Sequence, residues 1–146
     1  MKFIDEIKAR AKQDVKTIVL PESRDKRTLI AAAQVLKEGT AKIVMVGDEE
    51  KIRDGAHWLD VELDGISVVN PETSPKLDEY VNLLYELRKK KGMTLESARE
   101  QLLNNYIMFG VMMVKCKDAD GMVAGCCHAT ADVLRPSLQI LKTAPG

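Results

Sequence analysis

Four short apolar runs interrupt a chain whose remaining apolar residues recur at helical spacing. In "KTIVLPE", Thr17 to Leu20 form a β-rich run stopped by Pro21, which predicts a buried strand ending in a loop. "AKIVMVG" predicts a second strand and "ISVVNPE" a third, closed by Asn70-Pro71. "DGMVAG" predicts a fourth, bounded by Asp-Gly and Gly. Between them the period lengthens. "FIDEIKARAKQ" puts Phe3, Ile4, Ile7 and Ala11 on one side of a short helix. "RDKRTLIAAAQVLKEGT" is rich in helix formers, with Gly39 as C-cap. "DEEKIRDGAHWLD" reads as a short helix and turn. "SPKLDEYVNLLYELRKKKG" gathers Leu77, Val81, Leu84, Tyr85 and Arg88 near one helix face and ends at Gly92. "TLESAREQLLN" opens with a capping box of Thr94 and Ser97, and Glu96 favours the helix dipole. "NYIMFGVMMVKCKDA" is an apolar helix in which Gly110 allows close packing, and a last helix ends near Lys142.

This alternation predicts an α/β fold: a three-layer α/β/α domain with a largely parallel sheet of about four or five strands. The strands are expected near residues 17–20, 42–46, 66–69 and 121–124. At 146 residues one domain is expected. Pro145-Gly146 directly follows a helix and reads as a linker or turn, so the chain is expected to be a fragment.

Composition narrows the function. The 22 basic and 22 acidic residues cancel, which gives no electrostatic reason to expect affinity for nucleic acid or membranes. One Trp, three Tyr and two Phe do not supply a base-stacking platform. The N-terminus lacks the apolar run of a signal peptide, and no stretch approaches a membrane span. Cys116, Cys126 and Cys127 are odd in number and lack framework spacing, so a reducing cytoplasm is the expected setting.

Ligands of open parallel sheets bind beyond the carboxyl ends of the strands. "PESRDKR" follows the first strand and brings Arg24, Lys26 and Arg27 to a helix start, either as phosphate donors or as a solvated helix terminus. "NPETSP" follows the third. "GCCHATADVLRP" follows the fourth and holds most of the chemistry. A structural zinc site takes four converging ligands, usually from spaced pairs. Cys126, Cys127 and His128 are consecutive, and His57 lies in an unrelated segment, so no metal is expected. The cysteines are read as small buried residues lining the turn. A Cys–His nucleophile is chemically feasible, but adjacent side chains on an extended segment point in opposite directions. The Thr130 hydroxyl either caps the last helix or, with the N–H groups that follow, binds an anion. Arg135 adds a fork-shaped cation before Pro136, which marks a first helical turn or a kink. Asp132 opposes an anion unless it orients Arg135 or binds His128.

"DGMVAGCCHATADVLRPSLQILKTAPG" closely resembles the signature region of the phosphate acetyltransferase (phosphotransacetylase) family. "IVLPESRDKRTLIAAA", "YELRKKKGMTLESARE" and "NYIMFGVMMVKCKDADG" resemble its earlier segments in the same order. The resemblance implies the first domain of the phosphotransacetylase / isocitrate-dehydrogenase-like fold. It implies that residues 1–146 are the N-terminal domain of a two-domain protein whose second domain lies outside this chain. The implied reaction is acetyl-CoA + phosphate ⇌ acetyl phosphate + CoA, as part of acetate metabolism. CoA is a substrate, no cofactor or metal is needed, and the whole enzyme is a homodimer. Arg88 and Arg135 match the family's two catalytic, phosphate-binding arginines, Thr130 its phosphate-binding hydroxyl and Arg27 its CoA-binding arginine. Ala129 stands where many relatives have a hydroxyl, and Cys126-Cys127 where many have "AV". The family's general-base aspartate has no counterpart in this chain, so the fragment alone is expected to be inactive. Alternatives sharing the fold are a phosphate butyryltransferase and a non-catalytic regulatory domain like that of some malic enzymes; Arg88, Thr130 and Arg135 count against the second.

Overall fold

A computed structural model of the chain describes residues 2–146. Helix α1 (Lys2–Gln13) leads into strand β1 (Lys16–Leu20), then α2 (Lys26–Glu38), β2 (Ala41–Val46), α3 (Glu49–Trp58) and β3 (Ser67–Val69). Helices α4 (Leu77–Arg88), α5 (Leu95–Asn104) and α6 (Tyr106–Lys115) follow, then β4 (Gly121–Met122) and α7 (Thr130–Ile140). The sheet has four strands in the order β3-β2-β1-β4, and every pairing is parallel. The fourth strand is only two residues long, shorter than its apolar run, because after Val123 the backbone turns toward β1's exit loop.

Strand alternation divides the core. Ile18, Leu20, Ile43 and Met45 face Leu29 and Ala32 of α2 and Ile52 and Ala56 of α3. Val19, Val44 and Val46 face the other layer, where Tyr80, Leu84, Phe109 and Met112 are buried. Strands β1 and β2 thus pack apolar side chains on both faces, as a continuous apolar run requires. The Tyr80 ring meets Phe109 edge-to-face at 5.2 Å, and its hydroxyl donates to Asp118. Local signals set the helix ends. Asp25, Asp48 and Asn105 cap α2, α3 and α6, and Thr94 and Ser97 complete the capping box of α5. Gly39 ends α2 at φ 69°, in the left-handed region where glycine carries no Cβ penalty. Helix α1 forms as its period predicts, but buries none of its residues; Phe3, Ile4 and Ile7 face outward, and Lys8 pairs with Glu38 of α2 at 3.0 Å.

The topology places a crevice. From β1 the chain winds outward through β2 and β3, then returns to lay β4 on β1's other side. The loops leaving β1 and β4 therefore diverge at a topological switch point, where ligands of open sheets bind.

Gly110 of α6 lies against the sheet. A Cβ there would come within 2.9 Å of Met122 Sδ and 3.1 Å of Val19 Cγ1. Gly110→Val is expected to overpack this contact and lower stability by about 1–3 kcal/mol. The check is the urea midpoint; an unchanged midpoint would show that α6 does not rest on β1 and β4 at this position.

Candidate functional site

At the switch point, β1 gives way to Pro21, Glu22 and Ser23, all buried. Ser23 Oγ donates to the Val46 carbonyl at 2.7 Å, which holds the loop against the end of β2. Glu22 points the other way, into the turn after β4. Its Oε1 accepts from the backbone N–H groups of Gly125 (2.5 Å) and Cys126 (3.1 Å). Its Oε2 accepts from the Cys127 N–H (2.8 Å) and the Cys127 thiol (3.0 Å), and lies 2.8 Å from His128 Nδ1. Gly125 sits at φ 121°, a conformation that side chains disfavour and that turns these N–H groups toward one point. Burial alone would raise the Glu22 carboxyl, but the Cys127 thiol, the His128 ring and the Cys127 and Gly125 N–H groups hold it well below the usual carboxylate range. The same bond to Glu22, with burial, pushes the Cys127 thiol up to about 12. Cys127 therefore remains a protonated donor at neutral pH, not a nucleophile.

The crevice opens as a cavity of about 820 Å³, lined among others by Glu22, Arg24, Tyr106, His128, Asp132 and Arg135. The Arg24 guanidinium lies over the Tyr106 ring, 5.3 Å from its centroid. A smaller cavity of about 250 Å³ shares Ser23, Arg24 and Tyr106 and adds Asp48 and Lys51. A third, of about 300 Å³, holds Arg88.

The residues singled out from sequence fall in different places. Arg135 lines the large cavity. Arg88 lines the third cavity, which shares Gln101 and Gln139 with the large one. Thr130 is the first residue of α7 and lines none of the three cavities; the N-cap is Ala129, which makes no side-chain bond, so Thr130 does not cap the helix. Arg27 clamps two loops: it pairs with Asp25 at 2.8 Å and donates to the Cys126 carbonyl. The bonds from Arg27 lower the Asp25 carboxyl to about 2. Pro136 lies inside α7, where its missing N–H leaves the Asp132 carbonyl without its helical donor.

Two expectations about the cysteines are corrected. Cys126 and Cys127 are exposed, because they sit on a turn instead of an extended lining. For the same reason Cys127 and His128 do not point apart: both reach Glu22, and Cys127 Sγ lies 3.6 Å from His128 Nδ1. The turn also supplies a convergence that three consecutive residues alone do not, since donor atoms of Glu22, Cys126 and Cys127 lie within 4.8 Å of one another. An ion held there would have to displace the N–H, S–H and ring donors already on Glu22. Glu22 itself was missed. A glutamate after a strand reads as a solvated loop residue, and its partners lie more than a hundred positions away. Arg24 stood out only as part of a basic cluster; the aromatic beneath it comes from α6.

The Glu22 network sets a pH dependence. Its folded-state pKa lies below the unfolded value of about 4.5, so its stabilisation is fully present above that value and is lost as pH falls toward the folded-state value. Glu22→Gln is expected to cost about 1–3 kcal/mol at neutral pH, because an amide NH₂ must then oppose a buried donor. The wild type should lose stability between about pH 4.5 and about pH 2, and the variant should lose less, having no proton to take up there. Urea midpoints at the two pH values check this; parallel losses would remove Glu22 from the explanation.

Residues 2–146 match the family model described as phosphate acetyl/butaryl transferase. Phosphate acetyltransferase of Acetivibrio thermocellus is 53% identical over 146 residues, covering all of this chain and 43% of the relative. That of Clostridium acetobutylicum is 47% identical over 146 residues, covering all of this chain and 44% of the relative. Among solved structures, a phosphotransacetylase from Streptococcus pyogenes superposes with a TM-score of 0.92 at 36% identity, over 99% of this chain and 44% of its own. The EutD phosphotransacetylase from Staphylococcus aureus gives 0.88 at 39%, over 99% and 43%. The chain thus spans less than half the length of these relatives. With a family match over residues 2–146 and the same fold in both solved relatives, this chain belongs to the phosphate acetyl/butyryl transferase family.

Proposed function

We propose that the protein containing this chain transfers an acetyl group reversibly between CoA and phosphate. The observation that carries the reading is the cavity at the β1/β4 switch point, where Arg24 and Arg135 face one space in a chain of this family. Two guanidinium groups lining one cavity repel unless an anion lies near them, and a phosphoryl group offers the oxygens that a fork-shaped donor matches. Arg135 holds the phosphoryl group and stabilises charge on the departing phosphate, and Arg88 supports it from the adjoining cavity. Thr130 adds a hydroxyl at the start of α7. Arg27, with its side chain 63% exposed despite its pair with Asp25, serves the phosphates of CoA.

Residues 1–146 are the first of two domains. The second supplies the base that removes the thiol proton and the opposite wall of the cleft. The thiolate attacks the acetyl carbonyl, the bond to the phosphoryl oxygen breaks, and phosphate leaves. CoA is a substrate; no metal or other cofactor takes part. The protein works in the cytoplasm as a homodimer on these small molecules, with no nucleic-acid or membrane partner. Among the described residues no helix is long and apolar enough to cross a membrane.

Thioester formation from acetyl phosphate and CoA, followed by absorbance, tests the reading. The whole protein is expected to be active and residues 1–146 alone to show no detectable turnover. A thiol of pKa near ~8.5 is only a few per cent ionised at neutral pH, and a positioned base contributes roughly 10²–10⁴-fold. Arg135→Ala in the whole protein should lower kcat about 10²–10³-fold, and Arg135→Lys should recover only part, keeping the charge but losing the fork. Unchanged turnover in Arg135→Ala, with folding verified, would place the chemistry elsewhere.

A further inference from the structure

Two thiols and a carboxylate meet at the turn after β4. Cys126 Sγ, Cys127 Sγ and a Glu22 carboxylate oxygen all lie within 4.8 Å of one another. Cys127 Sγ is 3.0 Å from Glu22 Oε2. On a tetrahedral zinc ion, with Zn–S of about 2.3 Å and Zn–O of about 2.0 Å, neighbouring ligand atoms stand about 3.5–3.8 Å apart. The three donors therefore need shifts of about 1 Å or less to share one ion. Thiolate sulfur selects thiophilic cations such as zinc and cadmium over magnesium or calcium. Both cysteines are exposed, so an ion reaches them without opening the fold and keeps a fourth position for water. The buried Thr28 places Oγ1 3.3 Å from Cys126 Sγ, where its hydroxyl can donate to a metal-bound thiolate.

We propose that Cys126, Cys127 and Glu22 form an inhibitory site for a thiophilic divalent cation, zinc. As the ion binds, each thiol releases its proton to solvent and a metal–sulfur bond replaces the S–H bond; no electron is transferred. Two protons leave as a dication enters, so the net charge of the cluster is unchanged and the effect is geometric. The ion has to take Glu22 Oε2 from the Cys127 thiol, the Cys127 N–H and the His128 ring, so it binds reversibly and is no resident part of the fold. Losing those bonds loosens the joint between the loops from which Arg24 and Arg135 reach the large cavity. A misplacement of about 1 Å at a reacting centre can lower a rate about 10²-fold. The ion takes no part in the reaction. Its effect on turnover rests on the acetyl-transfer reading; its binding does not.

Calorimetric titration of the whole protein with zinc chloride, beside Cys126→Ala, tests the site. The variant removes an exposed thiol that does not line the large cavity, so its turnover without zinc is expected at the wild-type level. The wild type is expected to bind about one more zinc ion per chain than the variant. Cadmium should give the wild type a thiolate-to-metal ultraviolet band that falls by about half or more in Cys126→Ala. Saturating free zinc should lower wild-type kcat about ten- to hundred-fold, a chelator should restore it, and Cys126→Ala should resist the ion. Equal zinc binding and equal cadmium bands in the two proteins overturn the site. Site-specific binding with unchanged turnover overturns its inhibitory role. Should Cys126→Ala not fold, Cys126→Ser, which keeps a polar atom beside Thr28, replaces it in every comparison. A zinc-free wild type that forms no thioester overturns the acetyl-transfer reading and leaves the binding result standing.

Discussion

Glu22 carries a buried negative charge that the domain tolerates only because five donors from residues 125–128 converge on it. An unpaired carboxylate in such a position would cost several kcal/mol. The requirement therefore runs in both directions. The charge needs the turn after β4 to keep its left-handed Gly125, and the turn needs the charge to absorb N–H groups that no strand partner takes up. Because β4 pairs with β1 through only two residues, this side-chain network extends the connection between the two strands beyond their ladder.

What hangs on that connection is the position of α7. The helix starts at Thr130, two residues after His128, and carries Asp132 and Arg135 into the cavity. Arg24 enters from the loop after β1, immediately beyond Glu22 and Ser23. The two cations that line one space thus belong to the two loops that Glu22 joins. Arg27 reinforces the joint by donating to the Cys126 carbonyl, but its pairing with Asp25 offsets much of its charge. Neither Arg24 nor Arg135 pairs with a carboxylate among the described residues, and both line the large cavity.

The fold was legible in the sequence because its determinants are local. Val19 between Ile18 and Leu20 announces a strand buried on both faces, Thr94 with Ser97 a helix start, and Gly39 a helix end. Each signal spans a few residues and needs no knowledge of the rest of the chain. The length of β4 was less legible: an apolar run does not say how many of its residues join the ladder, and only Gly121 and Met122 take register positions opposite β1. The site was legible only as residue types. Arg135 stood out by its motif, while Glu22, the residue that organises the site, had no local signal. Its donors are 103 to 106 positions away, and nothing in "PES" distinguishes a buried acceptor from a solvated one.

At this turn the backbone donors are already engaged. Backbone N–H groups at a strand-to-helix turn form a natural anion nest, and the sequence invites that reading for "GCCHAT". In the structure the N–H groups of Gly125, Cys126 and Cys127 are already bonded to Glu22, so the protein's own carboxylate fills the nest. A second anion would find like charge there. The positive charge lining the cavity is carried instead by guanidinium groups on longer arms, Arg24 stacked on Tyr106 and Arg135 on α7. Side chains of this kind orient well only when the elements carrying them are fixed, because stabilisation of developing charge depends on donors aimed in advance. The buried carboxylate thus gives up a backbone anion site and in exchange fixes the loops from which the side-chain donors reach.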